Sequence, residues 1–110
     1  MSTTLETIQQ QIIQNPILLY MKGSPKLPSC SFSAQAVQTL ALCGKRFAYV
    51  NILINPEIRL KLPEFSKWPT FPQLWIDSEL VGGCDIIVNL YKSGELQILV
   101  QQTALKYALK

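Results

Sequence analysis

The segment GSPKLPSCSFSAQ (residues 23–35) decides how this chain begins to fold, because it places two prolines and a lysine before an isolated cysteine, Cys30. The apolar run before it, ILLYM at residues 17–21, has the length and composition of a buried strand. Apolar residues then recur at helical spacing over residues 37–41, and Gly44 is typical of a helix end. The segment is therefore predicted to leave a strand and to enter a helix at Cys30.

Helical and strand patterns alternate along the rest of the chain. An amphipathic helix is predicted to start with Thr3 or Thr4 as its cap and to end near Asn15. The other predicted elements are strands at 47–52, 72–76 and 79–81, a turn at 77–78, and helices that begin at 55–57, 86 and 96. The order αβαβα followed by ββα(α) predicts an α/β fold, a four-stranded mixed sheet flanked by helices on both faces.

The helix that begins at residues 55–57 carries two opposing signals. Its start is well marked, with Asn as the cap, Pro in the first turn and Glu beside the positive end of the dipole. Ile58, Leu62 and Phe65 are predicted to form its buried face. Pro63 removes a backbone donor, so it is predicted to break or tighten this helix early.

Composition and charge restrict the function classes. Hydrophobic residues make up 48% and charged residues 15% of the 110 residues, which predicts one folded domain over residues 1–110. The net charge is +3, but the basic residues are scattered, so we expect no nucleic-acid partner. No segment resembles a secretory signal or a membrane span, so we expect a soluble protein of the cytoplasm without a membrane partner.

Cysteine usage predicts reduced thiols. The chain has an odd number of cysteines, and no two of them are close in sequence: Cys30, Cys43 and Cys84. A secreted disulfide framework uses an even number at closer spacing. The chain has no histidine, so a tetrahedral zinc site with about four Cys or His ligands is excluded. Cys43, near a predicted helix end, is interpreted as a structural cysteine.

Cys30 is the candidate reactive residue. A thiol at a helix N-terminus faces unpaired backbone N–H groups and the positive end of the dipole, which favour the thiolate. Lys22 and Lys26, just upstream, are expected to add to this effect. Three interpretations stay open from the segment alone: a redox nucleophile, a metal ligand or an inert buried cysteine. Ser33 stands where C-x-x-C oxidoreductases carry a second cysteine, and a hydroxyl cannot close a disulfide.

Three motifs together resemble the monothiol glutaredoxins in their bacterial single-domain form. They are MKGSPKLPSCSFS (21–33), WPTFPQ (68–73) and GGCD (82–85), and they follow the order of that family over nearly the whole chain. The long loop between the lysine and the cysteine of the first motif is typical of the monothiol class. The resemblance implies a thioredoxin fold and a single glutaredoxin domain over residues 1–110.

The resemblance also implies a site for glutathione, in which two cations and one backbone segment hold the tripeptide. Lys22 and Arg59 would bind its glycine carboxylate, and Phe71, before a cis Pro72, would pair its backbone with the glutathione cysteine. Alternatively, Lys22 and Arg59 are ordinary surface charges that contact only solvent. The alternative for Pro72 is a trans proline that starts a strand.

The other end of the implied glutathione site is the start of the helix after the GGCD motif. Backbone N–H groups of Gly83, Cys84 and Asp85 would take the γ-glutamyl carboxylate, while the Asp85 side chain would meet the γ-glutamyl ammonium. As alternatives, Asp85 only caps its helix and Cys84 only packs.

Members of the family bind a [2Fe-2S] cluster between two protomers, so the resemblance makes Cys30 a metal ligand as well as the catalytic thiol. Such clusters take about four thiolates. Two copies of Cys30 and two glutathione thiols supply four, which implies a homodimer when the cluster is bound and a monomer without it. BolA-like proteins and apo iron–sulfur proteins are the further partners that the resemblance implies.

The chain departs from the family signature at Ser31, where the family has glycine. Serine restricts the backbone and adds a hydroxyl, and some glutaredoxins with serine at this position reduce glutathione mixed disulfides. Three functions are therefore open. The leading one is a glutathione-dependent [2Fe-2S] carrier in iron–sulfur cluster biogenesis. The second is a weak monothiol oxidoreductase acting on protein–glutathione mixed disulfides, and the third is a binding module without either chemistry.

Overall fold

The structure is a computed structural model, and it describes residues 3–109. The elements follow the predicted order, with a separate helix at the end. They are α1 (Thr3–Gln14), β1 (Ile17–Met21), α2 (Ser31–Ala41), β2 (Ala48–Asn51), α3 (Pro56–Ser66), β3 (Gln73–Ile76), β4 (Glu79–Gly82), α4 (Cys84–Ser93) and α5 (Glu95–Lys106). Within the described part of the chain, no helix is both long and apolar enough to cross a membrane.

The four strands form one mixed sheet, as predicted, in the order β2-β1-β3-β4. Strand β1 pairs in parallel with β2 and antiparallel with β3, and β3 pairs antiparallel with β4. The β3–β4 connection is the predicted tight turn, with Asp77 and Ser78 both at positive φ. Because β1 is central and all five of its residues are buried, its C-terminal end is a fixed point for the loop that follows.

Strand β1 divides the core into two clusters, because alternate side chains of a strand point to opposite faces. Ile17, Leu19 and Met21 pack on the face covered by α2, α4 and α5. Leu18 and Tyr20 pack on the face covered by α1 and α3. Each fully buried large apolar side chain contributes about 1.5–3 kcal/mol, so this one strand anchors both layers.

Helix α3 does not end early at Pro63, and the prediction that this proline breaks it was wrong. The helix continues to Ser66 although a proline in its interior cannot donate to the carbonyl four residues before it. Leu62 is fully buried beside Pro63, and Phe65 stacks on Trp75 with ring centroids 6.0 Å apart. Phe65 nevertheless stays 38% exposed, so it lies at the rim of the core rather than on the buried face that was predicted.

The predicted helix caps are also corrected by the structure. Thr3 and Thr4 lie inside α1, and the Thr4 hydroxyl donates to Glu57 Oε2 at 2.9 Å, which joins α1 to α3. Asn55 does occupy the cap position of α3, but its side chain makes no capping bond and instead donates to the Asn51 carbonyl at 2.8 Å. Residue type therefore predicted the cap position of α3 but not the bond made there, and for α1 it predicted neither.

The loop between β1 and α2 is closed by its own backbone. Ser24 and Leu27 exchange two N–H···O=C bonds at 3.2 and 3.1 Å, and the Ser29 N–H donates to the Lys22 carbonyl at 2.9 Å. Gly23 makes this return path feasible, because it has φ +91° and a Cβ there would lie 2.4 Å from the Leu27 carbonyl oxygen. The loop therefore brings the start of α2 back beside the end of β1.

Candidate functional site

A cavity of about 600 Å³ opens at the N-terminus of α2. Its walls come from the end of β1, from α3, from the loop before β3 and from the start of α4. All seven residues that the sequence analysis assigned to a site line this cavity: Lys22, Cys30, Arg59, Phe71, Gly83, Cys84 and Asp85. The fold therefore brings together residues that lie up to 63 positions apart in the chain (22 to 85).

Cys30 is the cap residue of α2, with an extended backbone (φ −153°, ψ 140°), and its side chain is only partly buried. The pKa of its thiol is lowered, chiefly by the backbone N–H of Ser33, and further by the Phe32 N–H, the Ser33 hydroxyl and the charge of Lys22, against an opposing effect of burial. Partial exposure and a lowered pKa are the environment of a reactive thiol rather than of an inert one. Of the two upstream lysines, Lys22 is the one whose charge contributes.

Ser33 is a functional residue that the sequence analysis missed. Its side chain is fully buried, and its Oγ accepts a bond from the Lys22 N–H at 3.0 Å. Its hydroxyl is also one of the groups that lower the pKa of the Cys30 thiol. The only available signal was its position three residues after a helix cap, where side chains meet the first turn. Ser33 thus replaces a resolving thiol with a donor that stabilises the thiolate.

Cys84 lines the same cavity, but it is buried and the pKa of its thiol is raised. It is 7% exposed, and its thiol donates to Gln35 Oε1 at 3.4 Å. Burial raises its pKa first, and the charges of Asp85 and Cys30 raise it further. Cys43, outside the cavity, is buried with its pKa raised by burial alone, as expected of a packing cysteine. Cys30 is therefore the one of the three that favours the thiolate.

The loop before β3 is held by a buried glutamine. The Phe71–Pro72 bond is cis, as the resemblance implied. Gln73 is fully buried, and its Nε2 donates to the carbonyls of Trp68 at 2.9 Å and Thr70 at 3.3 Å, while its Oε1 accepts from Trp75 Nε1 at 3.2 Å. This polar side chain at the start of a strand therefore fixes the backbone around Phe71, and nothing in its residue type predicted that.

Helix α4 begins against this loop. Gly83 is the cap residue, and a Cβ there would lie 3.4 Å from both the Pro72 carbonyl oxygen and Trp68 Nε1. Asp85 lies inside the first turn and is exposed, and α4 has no side-chain capping bond. The alternative that Asp85 only caps its helix is therefore wrong.

Among residues 3–109, neither cation of the cavity has a carboxylate as a salt-bridge partner. Lys22 is half-buried just after β1, and Arg59 is exposed on α3. In the described range 3–109, the one salt bridge joins Lys106 to Asp77 at 2.8 Å, and neither residue lines the cavity. The cavity thus combines two cations, a thiol of lowered pKa and one exposed acidic side chain.

Comparison with known proteins gives the family. A glutaredoxin family model matches residues 17–81. Glutaredoxin 4 of Escherichia coli strain K12 is 71% identical over 107 residues, which cover 97% of this chain and 93% of that protein. The solution structure of reduced poplar apo GrxS14 superposes with a TM-score of 0.78 at 46% identity, covering 92% of this chain and 94% of that one.

The fold recurs in a more distant structure, that of a buckwheat glutaredoxin–glutathione complex, with a TM-score of 0.80 at 19% identity over 92% of this chain and 90% of that one. A thioredoxin fold with a partly exposed cysteine at a helix start and a serine three residues later defines the class of monothiol thioredoxin-fold proteins. The chain belongs to the glutaredoxin family, and to its monothiol members.

Proposed function

We propose that residues 1–110 form a single glutaredoxin domain that binds glutathione in the cavity and, as a homodimer, carries a [2Fe-2S] cluster in iron–sulfur cluster biogenesis. The observation that carries this proposal is the partly exposed Cys30 thiol of lowered pKa, which shares a cavity with Lys22 and Arg59 and has a serine, not a cysteine, at the resolving position. Such a site suits an anionic ligand that brings a thiol of its own.

Charge complementarity supports glutathione as the ligand. Glutathione is a tripeptide with a carboxylate at each end and an ammonium beside one of them. Lys22 and Arg59 would hold the glycine carboxylate by charge-assisted hydrogen bonds, and Asp85 would meet the γ-glutamyl ammonium. The buckwheat glutaredoxin that was solved with glutathione shares this fold, which favours the same class of ligand here.

Backbone groups would complete the glutathione site. Phe71 would pair its N–H and C=O with the glutathione cysteine in the manner of an added strand, and the buried Gln73 keeps that backbone in place. Gly83 and Cys84 start α4, where free N–H groups and the positive end of the dipole favour the γ-glutamyl carboxylate. The tripeptide thiol would then lie beside Cys30.

The ligand count supports a shared cluster. Within residues 3–109, no group of three or more Cys, His, Asp or Glu side chains is placed to hold a metal ion. One chain offers one thiolate of lowered pKa, while a [2Fe-2S] cluster takes about four thiolates. Two chains with two glutathione molecules reach that number, so loading and dimerisation would be one event.

The remaining assignments follow from this role. BolA-like proteins and apo iron–sulfur proteins are the proposed partners, because a cluster held by few protein ligands is easily transferred. All three cysteines are free, which is consistent with a reducing compartment such as the cytoplasm.

A second function is favoured by the lowered pKa of Cys30. In this oxidoreductase reaction, the Cys30 thiolate attacks the glutathione sulfur of a protein–glutathione mixed disulfide and releases the protein as a thiolate. A second glutathione then attacks the Cys30–glutathione disulfide, which regenerates the Cys30 thiolate and forms glutathione disulfide. No second protein thiol is needed, in keeping with Ser33 at the resolving position.

Anaerobic reconstitution with iron, sulfide and glutathione separates the two functions. We expect a coloured species with the apparent mass of a dimer, formed by the unaltered protein and by Cys43→Ser but not by Cys30→Ser. Visible absorption and size-exclusion chromatography provide the readout. A colourless monomer that still reduces glutathione mixed disulfides would refute the carrier function and leave the oxidoreductase.

A further inference from the structure

We infer that Asn51, a neutral residue outside the cavity, is a positioning residue that fixes Lys22 and Arg59 relative to each other. Asn51 is the last residue of β2, and its Oδ1 accepts two backbone bonds, from the Gly23 N–H at 3.0 Å and the Leu53 N–H at 3.0 Å. One carboxamide oxygen therefore joins the loop after β1 to the loop after β2. The inference rests on the proposed glutathione site and extends it by one residue.

The first bond acts on Lys22. Gly23 follows Lys22 directly, and its positive φ and crowded surroundings leave it one backbone path. The Lys22 carbonyl accepts the Ser29 N–H at 2.9 Å, and the Lys22 N–H donates to Ser33 Oγ at 3.0 Å. Together with the bond from the Gly23 N–H to Asn51 Oδ1, these bonds tie the backbone around Lys22 to β2, to α2 and to the loop between β1 and α2.

The same residue acts on Arg59 through the start of α3. The Asn51 backbone carbonyl accepts the Asn55 side-chain amide at 2.8 Å and the Ile54 N–H at 3.3 Å. The Asn55 carbonyl in turn accepts the Arg59 N–H at 3.0 Å, the first helical bond of α3. The Leu53 bond to Asn51 Oδ1 tightens the loop between these points.

This connection has a consequence for binding, because Lys22 and Arg59 lie on different elements yet must meet one carboxylate. Two cations that are already correctly spaced lose less conformational freedom when the ligand binds than two that move independently. Asn51 supplies that spacing without a negative charge of its own, so the positive side of the cavity stays uncompensated. Loss of the Oδ1 acceptor should therefore weaken binding of the glycine carboxylate but change the Cys30 thiol little, because the charge of Lys22 is the smallest of the effects on its pKa.

The test compares two ligands on the full chain by calorimetric titration: glutathione and its glycyl monoethyl ester, which lacks the glycine carboxylate charge. Asn51→Leu removes the acceptor, and we expect about tenfold weaker binding of glutathione with little change for the ester. Asn51→Asp keeps Oδ1 but adds a negative charge, so we expect glutathione affinity to fall at low salt and to come within about threefold of the unaltered protein when both are measured at high salt. The pH profile of Cys30 alkylation should change little in Asn51→Leu, because the charge of Lys22 has the smallest effect on the Cys30 pKa.

The matched control is Asn15→Leu, which removes another side-chain amide bond, from Asn15 Nδ2 to the Gln11 carbonyl at 2.8 Å, outside the cavity. Equal glutathione affinity for Asn51→Leu and the unaltered protein would overturn the inference, as would an equal loss for glutathione and its ester. Failure of the unaltered protein to bind glutathione would instead refute the proposed function. If Asn51→Leu does not fold, Asn51→Ser replaces it, because its shorter side chain does not reach both amides.

Discussion

At the scale of single residues, the pKa of Cys30 depends in part on Ser33. In the sequence, Ser33 stands out only because it replaces the second cysteine of a C-x-x-C motif. The buried Ser33 hydroxyl accepts a bond from the Lys22 N–H and lowers the pKa of Cys30, so one hydroxyl acts on both the end of β1 and the thiol. The Ser31 side chain, at the family's glycine position, is exposed and is not among the groups that lower the thiol pKa. The two serines that flank Phe32 thus differ in effect, which gives a matched pair of variants.

Ser33→Ala is expected to raise the pKa of Cys30, because the Ser33 hydroxyl is one of the groups that lower it. The group becomes less ionised at any pH below its pKa, so alkylation by iodoacetamide at pH 7 slows. Ser31→Ala and Ser31→Gly should leave the profile unchanged. The measurement is the pH dependence of the Cys30 alkylation rate, resolved by site with mass spectrometry.

The same substitution has a cost in stability that serves as an internal check. Ser33→Ala leaves the Lys22 N–H without its acceptor in a buried position, which costs about 1–3 kcal/mol of unfolding free energy. An unchanged Cys30 profile in a variant destabilised to this extent would show that Ser33 has only a structural role.

The three cysteines should also differ in reactivity toward a limiting alkylating reagent. Cys30 has a lowered pKa and is partly exposed, whereas burial is the first cause of the raised pKa of both Cys43 and Cys84. We expect iodoacetamide at pH 7 to modify Cys30 first and the other two only after urea unfolds the protein. Peptide mapping measures this order, and early modification of Cys84 would contradict the assignment of its thiol as protonated.

At the scale of elements, the loop between β1 and α2 depends on one glycine. An alanine at position 23 would be held at φ +91° with its Cβ 2.4 Å from the Leu27 carbonyl oxygen and 2.7 Å from the Ser29 nitrogen. Gly44 also has positive φ, +76°, but no atom lies within 4 Å of the position that a Cβ would take there. A comparison of alanine substitutions at Gly23 and Gly44 therefore separates the cost of backbone strain from the cost of steric crowding.

Gly23→Ala is expected to lower the unfolding free energy by about 3 kcal/mol, the sum of left-handed strain and a displaced loop. Gly44→Ala should cost about 1 kcal/mol, because it adds strain alone. Urea unfolding followed by circular dichroism measures both. Equal losses would mean that the loop relaxes freely, and Cys30 would then keep its normal alkylation profile in Gly23→Ala.

The elements were largely predictable from the sequence because their signals are local. The apolar run of β1 and the turn at 77–78 carry those signals in adjacent residues, and both were confirmed. The effect of Pro63 was not predictable, because the last turn of α3 is held by the contact of Phe65 with Trp75 on another element. Local propensity is a weak guide wherever tertiary packing opposes it.

The site residues that line the cavity were predictable for a different reason, since all of them except Arg59 lie in the three motifs that carry the family resemblance. The residues that support them were not. Ser33 bonds to Lys22 across 11 positions, and Asn51 bonds to Gly23 across 28. Neutral polar side chains acquire such functions only from folded geometry, so residue type alone does not indicate them.

At the scale of the whole molecule, the cavity joins the two helical layers. Arg59 comes from α3, which packs with α1 on one face of the sheet, and Asp85 comes from α4, which packs with α2 on the other. Lys22 lies between them at the end of the central strand. Opposite charges thus reach one cavity from opposite layers, and a bound tripeptide would span the end of the sheet.

This arrangement predicts that the two ends of glutathione can be tested separately with its two component dipeptides. Lys22→Met should weaken binding of cysteinylglycine, which keeps the glycine carboxylate, by about fivefold, and Asp85→Asn should weaken binding of γ-glutamylcysteine, which keeps the γ-glutamyl ammonium, by a similar factor. Each substitution should have little effect on the other dipeptide, because the charges act from different layers. Competition of each dipeptide with glutathione in a calorimetric titration measures the four affinities. If both substitutions weakened both dipeptides equally, the charges would act as one diffuse field, and the assignment of each end of the tripeptide to its own side of the cavity would be wrong.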